Sequence, residues 1–125
     1  MAGETALPIQ ETPDFFQDVT WSGSIAEDID ETYFYYCERD TIVDSVVAIT
    51  DTADDNMTID VKKGAGGTSI FSTIITTAGA DAVYAGVLST TENLVPAGTV
   101  LHLNFANVDT ATGVLVQARI RTRVR

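Results

Sequence analysis

A chain of 125 residues with 45% hydrophobic content is one domain's worth and can close an apolar core, which excludes wholesale disorder. Its net charge of −11 argues against a phosphate-binding surface, so nucleic acid is not an expected partner. No stretch approaches the roughly 20 apolar residues of a membrane span, and no membrane partner is expected.

Residues 1–16 have neither the basic nor the apolar region of a Sec signal peptide. Pro8 and Pro13 interrupt any periodicity and bias their predecessors toward extended backbone. Leu7, Ile9, Phe15 and Phe16 are nonetheless too apolar for a purely solvating tail. The expectation is an extended N-terminal arm over 1–16, anchored on its own domain or a neighbour, with fraying of the first residues as the alternative. A β-sandwich domain over 17–125 follows.

The first expected strand is Val19–Ile25, with Val19, Trp21 and Gly23 on one face. After an acidic turn at 26–31, Thr32–Glu38 (TYFYYCE) is dense in aromatics and reads as a strand apolar on both faces. That suits a central strand or one at a subunit contact. Its Cys37 is the single cysteine, which rules out an intrachain disulfide and a Cys-rich metal site, and it reads as a small buried hydrophobe. Stability must then come from packing or oligomerisation, and a reducing cytosol suits the chain. In Thr41–Thr50 the pairs Ile42–Val43 and Val46–Val47 break strict alternation, which places a bulge near Asp44-Ser45.

Beyond the 51–56 loop, Met57, Ile59 and Val61 alternate with polar residues over 57–63, and GAGGT (64–68) turns the chain into a strand over 69–77. Val83–Ser89 is a short strand. The Pro-Ala-Gly turn at 96–98 launches Val100–Ala106, and the turn at 107–113 leads into a final strand, Val114–Val124. About eight strands at short spacing, with turns of Gly, Pro, Asp and Asn, define an all-β antiparallel β-sandwich or barrel.

The last strand carries Arg119, Arg121, Arg123 and Arg125 on one face, roughly 7 Å apart. They are either a solvated edge or a docking stripe for acidic surface on a neighbouring subunit. Residues 1–60 hold 15 acids and one base and residues 61–125 hold 3 acids and 6 bases, a polarity that serves either self-association or docking to a charged neighbour, or only solvated acidic loops. Asp51, Asp54, Asp55, Asn56 and Asp60 are rich in oxygen, but their spacing departs from the EF-hand pattern, so an acidic loop is expected and no metal. His102, the only histidine, has no nucleophile elbow to serve and reads as a strand residue. GAGGT lacks the context of a phosphate loop. Neither enzymatic activity nor a cofactor is expected. Trp21, Tyr33, Tyr35 and Tyr84 are the residues that could stack sugars.

From Asp44 to Arg125 the order of TIDVKKG, SIFSTIITTAGADAV, GVLSTTENLVPAGTVLHLNF and VLVQARIRTRV resembles the head decoration (cement) proteins of tailed bacteriophages. That resemblance implies a jelly-roll-like sandwich forming a homotrimer that clamps neighbouring major capsid subunits on the capsid exterior. Leu7, Ile9, Phe15 and Phe16 match the gripping arm of such proteins by residue type. A carbohydrate-binding or tail-fibre module is the alternative function.

Overall fold

Alternation decides most of the architecture. The computed structural model describes residues 15–52 and 56–122, and six long strands account for most of them. These are β1 (Phe15–Ile25), β2 (Ile29–Cys37), β3 (Thr41–Thr50), β4 (Thr58–Lys63), β11 (Thr99–Ala106) and β12 (Thr112–Thr122). Between β4 and β11 lie six ladders of two or three residues: β5 (Thr68–Ser69), β6 (Phe71–Thr73), β7 (Ile75–Thr76), β8 (Val83–Ala85), β9 (Val87–Leu88) and β10 (Leu94–Val95). In β12 the residues Val114, Val116, Ala118 and Ile120 are buried while those between them are not, as a strand with one face on a core requires.

Two sheets result. The first runs β1–β12–β3, with β8 and β10 both pairing on the free side of β3. The second runs β2–β11–β4, with β5 and β7 on the free side of β4. All these pairings are antiparallel. With β5 and β7 taken as one interrupted strand and β8 and β10 as another, eight strands divide between two sheets in the order of a jelly roll. A β6–β9 ribbon stands apart from both sheets. The core fills the gap between them with Val43, Val46, Val116 and Ile120 from one side and Ile59, Val61, Leu101, Leu103 and Phe105 from the other. Trp21 reaches across from β1 to Phe105, with ring centroids 5.3 Å apart.

Several boundaries differ from the sequence expectation, each for a physical reason. Strand β1 starts at Phe15 rather than Val19, because its pairing with β12 runs unbroken from Ile25↔Thr112 to Phe15↔Thr122. Phe15 and Phe16 are therefore sheet residues. Strand β2 is an edge strand, not a central one: its register against β11 slips twice, and Tyr33 and Tyr36 face solvent. The segment 69–77 is cut into three because Phe71 leaves β4 to pair in the β6–β9 ribbon. Gly86 splits 83–89; a Cβ there would meet the Phe71 ring 2.4 Å away. The short β10 was not expected within TTENL. The bulge at Asp44 is present: Arg119 pairs with Ser45 and Ile120 with Val43, leaving Asp44 as the extra residue.

Candidate functional site

Several acidic residues of the first half bond to the second half. Asp28 Oδ1 accepts the Val108 N–H at 2.9 Å, and Asp40 Oδ1 accepts that of Ala97 at 2.9 Å. Asp51 Oδ1 accepts the Gly113 N–H at 2.7 Å and hydroxyl donation from Thr52 and Thr112. Part of the charge polarity of the sequence is thus internal stitching between turns. The bond from the Gly113 N–H, above all, holds the Asp51 carboxyl below its ordinary range. A group with a depressed folded pKa contributes stability above its unfolded pKa, about 4, and loses it as pH falls through the folded value. Asp51→Ala is accordingly expected to lower Tm most at neutral pH, with the gap to the parent protein closing in acid. A gap that stays constant into acid would show that ionisation of Asp51 contributes nothing. Asp54 and Asp55 lie outside the described residues, and no group of three or more potential metal ligands occurs among the described ones.

The two described arginines of the stripe, Arg119 and Arg121, are both held by contacts within the chain. The Asp44 bulge directs a carboxylate to Arg121, whose Nε donates to Oδ2 at 2.8 Å and to Oδ1 at 3.1 Å. Phe16 lies opposite Arg121 in register, and the guanidinium groups of Arg119 and Arg121 stand 5.6 and 5.9 Å from its ring centroid. The ring remains 57% exposed. The structure thus brings Phe16, Arg119 and Arg121 into one corner, with Phe15 beside it in the strand. Leu7, Ile9, Arg123 and Arg125 lie outside the described residues.

The same outer face continues as an aliphatic strip. Leu115, Ile49 and Val83 form one cross-strand row, and Val47 and Ala85 continue it in the next. Ile42 and Leu94 pair at the far end, beside a cavity of about 330 Å³ lined by Asp40, Thr41, Ile42, Leu94, Val95 and Pro96. Alternation fills the inner face of this sheet and leaves these residues without a covering layer among the described residues.

The outer face of the second sheet has different chemistry. His102 lies in register between Tyr33 on β2 and Lys62 on β4, and the pair Asn104–Asp60 follows along the strands. The Tyr33 ring is 5.2 Å from the imidazole at a 57° tilt. His102 is 7% exposed, and its Nδ1 has no hydrogen-bond partner among the described residues. Such an orphan nitrogen costs about 1–3 kcal/mol. Of the four residues expected to stack sugars, only Tyr33 is well exposed here. Trp21 packs on Phe105, and Tyr35 and Tyr84 pack against the core. Sequence reasoning missed Tyr36, because regular alternation would put it on the face opposite Tyr33. Burial pushes the Cys37 thiol up, which keeps it protonated and inert.

No protein-family model and no curated protein matches this chain. Among solved structures it is similar to a chain of the cyanophage Pam1 capsid asymmetric unit, with 18% identity and a TM-score of 0.61. The match covers 96% of this chain and 94% of that one, so the likeness is one of fold over nearly the whole length of both.

Proposed function

We propose that the protein is a virion structural protein that decorates a phage capsid and stabilises it by bracing neighbouring major capsid subunits. The near end-to-end likeness of fold to a chain from a phage capsid asymmetric unit carries this reading. The surface of the first sheet supports it. An uncovered aliphatic strip ends at an exposed phenylalanine held beneath two guanidinium groups, a combination suited to a protein neighbour. The protein acts without chemistry, as a trimer, and each weak contact is multiplied by the symmetry of the shell.

Light scattering is expected to give a particle of about 40 kDa, three chains of 13.4 kDa. Co-sedimentation with shells lacking the protein should saturate. Phe16→Ala and Arg119→Glu should each weaken attachment about tenfold, since they remove a cation–π partner or reverse the charge. A monomer that stays in the supernatant would sink the proposal. Unchanged attachment of both variants would remove this corner from the contact.

A further inference from the structure

We propose that the outer face of the second sheet, at Tyr33, Tyr36 and His102, is a binding site for a polysaccharide built of neutral hexopyranose rings. Two strand residues three positions apart normally point to opposite faces. The register of β2 against β11 slips between Leu101 and His102, so Tyr35 pairs with Leu101 but Tyr33 pairs with His102, and Phe34 is the extra residue. Tyr36 pairs with Val100. The slip therefore brings Tyr33 and Tyr36 to the same outer face, opposite consecutive outward residues of β11 and roughly 7 Å apart along the strand. They are 77% and 53% exposed. A bulge has re-aimed an aromatic side chain to build a two-ring platform on an edge strand.

The groups at the foot of the platform suit a polyol. A pyranose offers a face of C–H bonds to an aromatic ring and hydroxyls at its rim, which need donors and acceptors beside that ring. Lys62 supplies donors. The Asn104 side-chain oxygen and the rest of the Asp60 carboxylate supply acceptors; Asp60 Oδ1 already accepts the Ser69 hydroxyl, and the Asn104 amide nitrogen donates to the Asp30 carbonyl at 2.9 Å. His102 lies between Tyr33 and Lys62 with Nδ1 unpartnered. Tyr33 is largely in solvent and its ring centroid lies 5.2 Å from that of the imidazole, so a sugar stacked on Tyr33 lies next to His102. A protein neighbour is better served by the aliphatic first sheet, whereas the row of Tyr33 and His102 leads to Lys62 and the next row holds Asn104 and Asp60. The platform lies on an open sheet face, which accommodates a chain of rings rather than one enclosed sugar.

A printed array of neutral glycans tests the site directly. Wild-type protein should bind a subset of hexopyranose chains. Tyr33→Ala and Tyr36→Ala should each reduce binding at least about tenfold, and Leu94→Ser on the opposite sheet should not. These side chains are exposed, so unchanged melting temperatures will establish that the variants fold. Titration with the best-bound oligosaccharide should shift the His102 imidazole resonances. Absence of binding across the array overturns the proposal, as does binding that survives both tyrosine substitutions. So does loss of shell attachment in those variants with glycan binding intact, which would make the face a protein contact.

Discussion

Phe105→Ala should lower the melting temperature by roughly 10–20 °C, given about 3–5 kcal/mol for emptying a phenylalanine site. Phe105 is fully buried on β11, the central strand of the second sheet, and it is the residue that Trp21 meets from the first. Truncation removes the ring from one sheet and the support of the indole from the other. Gly23 already lies under the Trp21 ring, where a Cβ would come within 2.9 Å, so the indole has little room to resettle on that side. The cavity should persist rather than collapse. Thermal unfolding by circular dichroism checks this, and a loss below about 1 kcal/mol would mean that the sheets close over the gap.

Gly67→Ala is the second large effect. A Cβ on Gly67 would lie 2.0 Å from the Lys63 carbonyl oxygen, a backbone atom that no rotamer change can move. Gly67 also donates its N–H to Gly64 at 3.0 Å, and Gly64 and Gly66 hold φ values of 90° and 63°. The turn between β4 and β5 must open to accept the methyl, at a cost of about 1–3 kcal/mol. The disturbance reaches Lys63, whose ammonium donates to Glu92 at 2.7 Å and ties the 89–94 segment to the hairpin. Denaturant unfolding should show a lower midpoint with an unchanged slope. A midpoint equal to that of the parent would show that the turn relaxes without loss.

The fold was legible where one face of a strand is buried and the other is not. Met57, Ile59 and Val61 announced β4, and Val114 to Ile120 announced β12, because a period of two survives any detail of pairing. Even the bulge at Asp44 was visible, since the doublets on either side of it break the alternation. Strand position was not legible. TYFYYC is apolar on both sides and reads as central or as a subunit contact; among the described residues it lies at an edge, which overturns the first of these, and the slip that turns Tyr36 outward depends on the register with β11, which no local pattern encodes. The interrupted ribbons from Thr68 to Val95 failed for a related reason. Ladders of two or three residues are set by neighbours distant in sequence and leave almost no periodicity of their own. At the candidate sites, the arginine stripe was readable from spacing, whereas its anchoring by Asp44 and Phe16 is a tertiary fact. His102 read as a plain strand residue; its missing hydrogen bond appears only when β2 and β4 close on either side.

The interleaved order of the strands bears on how the chain is made. The earliest long strands, β1 and β2, form one edge of each sheet, and the latest, β11 and β12, occupy the middle. Phe15 finds its partner only in Thr122, and Ile29 only in Phe105. A nascent chain emerging from the ribosome therefore cannot complete either sheet until residues 99–122 have emerged. Closure is governed by distant pairings, so refolding should be slow for the size of the domain. Until then the edge strands remain open to other nascent copies, which makes low synthesis temperature a condition under which this protein should accumulate in soluble form.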